Sequence, residues 1–204
     1  MEKNIPRCVI ARLPLYYHYL KSVNIYDKPN ISSASIAKAL SLGEVQVRKD
    51  LAAVSGAGKP KIGYKTDELL AQIENIICGE SRTNAVIIGA GKLGLALLGY
   101  EGFSEYAVDI LAAFDTDEKK CLLKDSKPVL NMSELQRFCK ENDIKIGIIT
   151  VPEMFAQSVC DMLMQSGVKA ILNFAPAVLK TPDNVCVKNV NVAANLAALL
   201  VSAQ

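Results

Sequence analysis

The 204-residue chain is half apolar and carries 23 Lys/Arg against 21 Asp/Glu, a net charge of +2, a balance that fills a sizeable globular core and excludes a disordered chain. No apolar run reaches the roughly eighteen residues of a membrane span, and the N-terminus lacks the apolar block of a signal peptide, so a cytoplasmic protein is expected. The six cysteines (Cys8, Cys78, Cys121, Cys139, Cys160, Cys186) form no C-x-x-C pair; neither a disulfide framework nor a metal site is encoded, and most should be buried free thiols.

Charge is uneven along the chain. Residues 1–80 hold eleven basic and eight acidic side chains, residues 81–204 twelve and thirteen, and residues 44–65 five (Arg48, Lys49, Lys59, Lys61, Lys65) against two (Glu44, Asp50). Such a cluster fits either a phosphate backbone or a solvated lysine-rich loop.

Residues 10–21 repeat apolar positions at helical spacing, with Pro14 tolerable in a first turn, and predict a helix from about Leu13 to Val23. Its Tyr16, Tyr17 and Tyr19 read as core and packing surface. Tyr17-x-x-x-Lys21 has a spacing used by some dehydrogenases, but it precedes the glycine loop described below and is taken as coincidence. Asn30 to Ser33 supply N-cap residues for a second helix carrying Ile36, Ala37, Ala39 and Leu40. Ser41-Leu42-Gly43 then turns, and Glu44 opens a third helix through Leu51, giving a helix-turn-helix. On a helical wheel Val47, Leu51 and Val54 face the core, while Glu44, Gln46, Arg48, Lys49 and Asp50 face the rim or solvent. Gln46, Arg48 and Lys49 could hydrogen-bond bases or phosphates in a major groove. Ser55 to Lys65 is glycine-rich and cationic; it suits a small hairpin towards Ile62 and Tyr64 with Lys59 and Lys61 at its tip, making a winged helix. Thr66 is expected to cap a helix over about Asp67 to Ile77, and residues 78–83 to form a linker.

Ala85 to Ile88 is apolar throughout, as a strand buried on both faces must be, and runs into Gly89-Ala90-Gly91-Lys92-Leu93-Gly94. In this G-x-G-x-x-G pattern Gly89 permits the tight turn, Gly91 the approach of a pyrophosphate, and Gly94 close helix–strand packing. Val108 to Phe114, broken only by Asp109, ends at Asp115, about twenty residues beyond Gly94, the reach of an acid that hydrogen-bonds a ribose 2′-OH. Thr116-Asp117-Glu118 is acidic where a 2′-phosphate would want arginine, favouring NAD(H). Further strands are expected at Val129-Leu130, Lys145 to Val151, Lys169 to Phe174 and Val185 to Val187, with helices opened by Ser133-Glu134-Leu135-Gln136 and spanning Glu153 to Gln165. Strands alternating with helices imply a doubly wound parallel sheet, with Thr150-Val151-Pro152 and Asn173-Phe174-Ala175-Pro176 at ligand-binding strand ends. The final helix, Val192 to Ala203, is apolar on nearly every side; exposing it would leave several side chains in water at roughly 1.5–3 kcal/mol each, so it is expected between subunits of a dimer. The fold class is α/β: a winged-helix DNA-binding domain over 1–79, a Rossmann dinucleotide domain over 80–190 and a dimerisation helix over 191–204.

Taken together, Arg12-Leu13-Pro14-Leu15-Tyr16-Tyr17, Gln46-Val47-Arg48-Lys49-Asp50-Leu51, Gly63-Tyr64, the Gly89–Gly94 loop, Phe114-Asp115, Thr150-Val151-Pro152 and Asn173-Phe174-Ala175-Pro176 resemble the Rex family of redox-sensing transcriptional repressors over essentially the whole chain. The resemblance implies a homodimer with a swapped C-terminal helix and a winged helix on double-stranded operator DNA through Gln46, Arg48, Lys49, Lys59, Lys61 and Tyr64. It also implies a domain sensing NADH against NAD⁺ through Gly89, Ala90, Gly91, Lys92, Leu93, Gly94, Asp115, Thr150, Val151, Pro152, Asn173, Ala175 and Pro176. In the family, NADH closes the dimer and releases DNA. This chain has His18 and Asn191 where the family usually has an Arg and an Asp that form a charged contact in the switch, and Pro60-Lys61 where Arg-Gly is common. It therefore reads as a divergent paralogue whose ligand preference or switching differs.

Two other readings stand beside it. An NAD-dependent oxidoreductase is opposed by a dinucleotide half without histidine, without an evident acid–base pair and without residues for a substrate domain. A DNA-binding protein whose nucleotide site is structural, or takes another adenine nucleotide such as ATP, fits the absence of the charged switch pair at His18 and Asn191.

Overall fold

The helical N-terminal repeat and the β/α alternation after residue 82 separate physically: in the computed structural model the chain divides into two units, Met1–Ser81 and Arg82–Gln204. Residues 5–79, 81–121 and 127–203 are described, leaving Glu80 of the expected linker outside them.

In the first unit a short α1 (Arg7–Ile10) leads into α2 (Leu13–Ser22), followed by β1 (Asn30–Ile31), α3 (Ser33–Leu40), α4 (Glu44–Ser55), β2 (Tyr64–Lys65) and α5 (Thr66–Cys78). The helix-turn-helix forms as its residues dictate. Ser32 and Ser35 make a reciprocal capping box at the start of α3, satisfying backbone N–H groups that the first turn leaves without partners. Ser41 ends α3 in the left-handed region with φ +54°, whereas the glycine of the turn, Gly43, is extended and serves as the N-cap of α4. Leu13, Tyr16, Tyr17 and Leu20 of α2, Ile36 of α3, Val47, Leu51 and Val54 of α4, and Leu69 and Ile73 of α5 are all buried. Each set repeats at three- and four-residue intervals, the stripe that an amphipathic helix turns to a core.

The wing differs from a two-stranded hairpin. Lys59 and Gly63 exchange backbone hydrogen bonds of 2.8 Å across a tight turn, and β2 pairs with β1 rather than with the wing's other arm. Thr66 does not cap α5; it is the helix's first residue, and its hydroxyl donates to the Lys28 carbonyl at 2.7 Å.

The second unit is a six-stranded, wholly parallel sheet built from β3 (Thr83–Ile88), β4 (Val108–Asp115), β5 (Val129–Asn131), β6 (Ile146–Ile149), β7 (Ala170–Asn173) and β8 (Cys186–Asn189). The order β5-β4-β3-β6-β7-β8 places the first strand of the unit at the centre and reverses direction there, the doubly wound arrangement whose ligand crevice lies at the switch point. Helices α6 (Lys92–Leu98), α7 (Glu118–Cys121), α8 (Leu135–Glu141) and α9 (Glu153–Gln165) connect the strands, with a 3₁₀ segment at Glu101–Tyr106. A second 3₁₀ segment, Met132–Glu134, precedes α8; its cap is Asn131, whose side chain accepts from the Ser133 N–H, so the capping-box spacing at Ser133 is not what opens the helix. Ala85 to Ile88 are buried on both faces, as their apolar run requires.

All six cysteines are free, but only Cys139 and Cys160 are buried; Cys78 and Cys121 are half-buried and Cys8 and Cys186 exposed, which corrects the expectation of mostly buried thiols. Helix α10 (Val192–Ser202) closes the chain, and its Val192, Leu196, Leu199, Leu200 and Val201 are between 61% and 75% exposed. Among the described residues no helix is long and apolar enough to cross a membrane.

Gly63 sets the wing's geometry: its φ is +87°, and a Cβ there would run into the Ile31 carbonyl oxygen. Gly63→Ala is therefore expected to destabilise the first unit by more than about 1 kcal/mol, read as an earlier unfolding transition of the helical signal in circular dichroism.

Candidate functional site

Beyond the carboxyl ends of β3, β4 and β6 lies a cleft of about 760 Å³. Its polar wall is Gly89, Gly91, Asp115, Thr116, Lys120 and Thr150, and its apolar wall includes Val151, Pro152, Met132, Phe155, Val159 and Met162. The glycine loop forms the floor, for reasons that the backbone states directly. Gly89 has φ +103°, and a Cβ on it would meet the Thr150 carbonyl oxygen at 3.0 Å. A Cβ on Gly94 would overlap the Gly89 carbonyl oxygen, so α6 can approach β3 only with glycine there. At Gly91 an added Cβ meets nothing within 4 Å: no protein packing demands glycine, and the space beside the backbone is open to a ligand.

Two neighbouring strands staple the loop. The Thr150 hydroxyl donates to the Gly89 carbonyl at 2.8 Å, and the Gly89 N–H donates to the Phe114 carbonyl at 2.7 Å. Asp115 accepts from the Ala90 N–H at 2.8 Å and from Lys120 Nζ at 2.9 Å on one oxygen, and from the Asp117 N–H at 2.9 Å on the other. Burial opposes the charge of Asp115, but Lys120 and the two N–H groups outweigh it and hold the carboxyl below the usual carboxylate range.

The sequence-selected residues fall into distinct places. Gly89, Gly91, Asp115, Thr150, Val151 and Pro152 meet at the cleft. Ala90 is buried and its N–H is committed to Asp115, while Lys92 and Leu93 open α6 and are exposed. Asn173, Ala175 and Pro176 lie one strand further along and do not wall the cleft. Asn173 is fully buried, donating to the Ala177 carbonyl and the Asn189 side chain and accepting from the Ala175 N–H; it shapes the loop after β7. Lys120, Met132, Phe155 and Met162 were not selected from the sequence. Phe155, in the first turn after Pro152, is half exposed, which the sequence does not reveal.

In the first unit Gln46, Arg48 and Lys49 are exposed on α4, and Lys59 and Lys61 are exposed on the wing, Lys61 in the left-handed region with φ +63°. Tyr64 is 9% exposed, its ring so close to Gly58 that a Cβ there would sit 2.9 Å from Cε2; it supports the wing from within. Asp50 is a further correction. It is buried, not at the rim, because Arg12 Nε and Nη2 donate to its two oxygens at 2.7 and 2.8 Å and the Tyr16 hydroxyl donates at 2.6 Å. Burial disfavours its charge, yet these donors hold its carboxyl below the usual range, while burial and the adjacent carboxylate push the Tyr16 hydroxyl up to about 12. Asn191 caps α10, accepting from the Ala194 N–H at 2.9 Å, and His18 is exposed on α2. Among the described residues no His, Cys, Asp and Glu cluster could hold a metal ion.

Comparison with known proteins covers both units. Residues 4–52 match a family model described as a putative DNA-binding protein N-terminus, and residues 80–177 one described as a CoA binding domain. A redox-sensing transcriptional repressor Rex from Carboxydothermus hydrogenoformans is 42% identical over 198 residues, 96% of this chain and 94% of the relative; one from Syntrophomonas wolfei is 41% identical over 96% of this chain and 93% of the relative. The solved structure of RSP in complex with β-NAD⁺ and operator DNA superposes with a TM-score of 0.88 at 32% identity, covering 97% of this chain and 92% of that one. RSP in complex with β-NADH gives 0.86, covering 98% and 94%.

Asp115→Asn removes the charge that Lys120 and the two N–H groups answer. The substitution is expected to lower the stability of the second unit at pH 7 by about 1–3 kcal/mol. Because the folded carboxyl sits below its unfolded value of about 3.9, its contribution is present above that pH and is lost as pH falls through the folded value. Denaturant titrations across pH should show a constant gap between the two proteins near neutrality that closes below about pH 4.

Proposed function

We propose that this chain, which belongs to the Rex family of redox-sensing transcriptional repressors, represses transcription by binding operator DNA through its first unit and reads the NADH/NAD⁺ balance through its second. The observation that carries the reading is near-full-length similarity that spans both units, 42% over 96% of the chain. The family is one of repressors, not enzymes, and a protein that acts on operator DNA is proposed to work in the cytoplasm.

The chain's own residues fit both ligands. The void beside Gly91 admits a pyrophosphate against the backbone, Asp115 offers its carboxylate to a ribose, and the apolar wall of Met132, Phe155 and Met162 suits an adenine ring. CoA, named by the matching domain model, also carries an adenosine pyrophosphate, so that match supports the same half of the ligand. Asn173 positions the loop that carries Ala175 and Pro176 towards the nicotinamide. On the first unit Gln46, Arg48 and Lys49 face the major groove from α4, and Lys59 and Lys61 meet phosphates from the wing. Tyr64 acts by holding that wing in place.

The exposed apolar α10 supports a homodimer with its C-terminal helix swapped onto the partner, because such a surface is stable only when covered. Coupling is two-state: NADH favours one dimer conformation, DNA the other, and linkage makes each weaken the other by the same factor. That one relative is described with β-NAD⁺ and operator DNA together supports DNA binding in the oxidised state. That His18 and Asn191 stand where the family usually has an Arg and an Asp favours a second reading, in which the nucleotide site is occupied without switching the DNA.

Titrating the dimer on an inverted-repeat operator with NADH, NAD⁺, NADPH and ATP separately, at fixed salt, decides between them. Release by NADH alone is expected; unchanged DNA binding with every nucleotide would establish the second reading. Lys59→Ala and Lys61→Ala should each reduce the slope of log K against log salt by about 1 and leave NADH affinity, measured by fluorescence, unchanged.

A further inference from the structure

The recognition helix carries an amide whose two ends are not equally free. Gln46 is exposed on the first turn of α4 and lies one turn before the buried Asp50. With its amide oxygen turned to Arg12, the orientation in which donors meet acceptors, Gln46 accepts from Arg12 Nη1 at 3.3 Å and shares, at 3.0 Å, the single Nε–H that Asp50 already holds at 2.7 Å. The guanidinium cannot follow a departing amide. Its Nε and Nη2 are forked onto the two oxygens of Asp50, and Asp50 is locked by the buried Tyr16 hydroxyl. The side chain of Arg12 is 23% exposed and that of Asp50 4%, so the fork competes little with water.

An arginine has only donors, so an amide beside it must present its oxygen inward and its NH₂ outward. Bidentate recognition of adenine needs the opposite freedom, an amide that accepts from N6 and donates to N7 at once. We infer that Arg12 is a positioning residue that holds Gln46 as a donor-only reader, so that the operator position under Gln46 is guanine, whose N7 and O6 both accept, or thymine, whose O4 accepts, rather than adenine, whose N6 donor is then left without a partner, or cytosine, which offers only a donor. The inference rests on the DNA-binding reading above and adds to it the chemistry of one base contact. Arg12 itself touches no base; it acts through Gln46.

The test is selection of binding sites from a randomised duplex pool by the full-length chain and its variants. Gln46→Ala identifies the position read by Gln46 as the one whose preference disappears, and the unaltered chain should favour guanine or thymine there by about fivefold, the low end of a single base contact. Arg12→Lys keeps the charge but loses the fork; it should let adenine in at that position alone, leave the salt slope unchanged, and have no further effect on base preference in a Gln46→Ala background. Gln46→Glu, a surface change that does not disturb the buried pair, should keep one oxygen on Arg12, present the other outward and turn the preference to cytosine. Adenine selected by the unaltered chain, a preference unmoved by Gln46→Ala or Gln46→Glu, or a folded Arg12→Lys protein with unchanged preference would overturn the inference while leaving the DNA-binding reading in place. A chain that enriches no sequence would overturn both.

Discussion

The second unit depends on the close approach of α6 to β3. Gly94 lets the helix come down onto the Gly89 carbonyl, and that contact fixes where the loop between them can run. The loop is then held from both sides, by Thr150 at the end of β6 and by Asp115 and the Phe114 carbonyl at the end of β4. Three parallel strands thus converge on one short turn, and the crevice is their shared edge. A parallel sheet has no hairpins to set its register locally, so long-range side-chain bonds of this kind also align β3 with its neighbours.

The first unit solves a different problem with a comparable device. Helix α4, the proposed recognition helix, must stand clear of the core to be useful, yet must not rotate. Val47, Leu51 and Val54 anchor one face apolarly, and the Arg12–Asp50–Tyr16 cluster anchors an adjacent face through charge. A buried pair of this kind gives little net stability, because desolvation offsets most of the attraction; its contribution is to fix one orientation among several that apolar packing alone would allow.

Much of this was legible in the sequence because the signals are local. The glycine loop, its preceding strand and the acid at the end of the next strand all sit between Thr83 and Asp115, and each requirement is imposed by backbone geometry on a particular residue type. The two units, the helix-turn-helix and the parallel sheet followed from periodicity in the same way. What escaped depended on distant partners. Asp50 looked exposed because its arginine lies 38 residues away, and a lone acid on a wheel carries no sign of one. Lys120 joins Asp115 from α7, a helix too short to leave a pattern. The wing was read as a hairpin from its own alternation, but β2 found a better partner in β1, whose two residues are too few to register as a strand.

Were a second copy to cover helix α10, as proposed, the molecule would depend on its own abundance. Leu196, Leu199, Leu200 and Val201 gain nothing from the sheet they follow while they remain in water, so whatever covers them contributes free energy that the isolated chain lacks. If that cover is a second copy, the folded state is favoured by mass action as well as by its internal contacts, and its stability rises with the logarithm of protein concentration. A repressor built this way would be least durable when scarce, as it is immediately after synthesis.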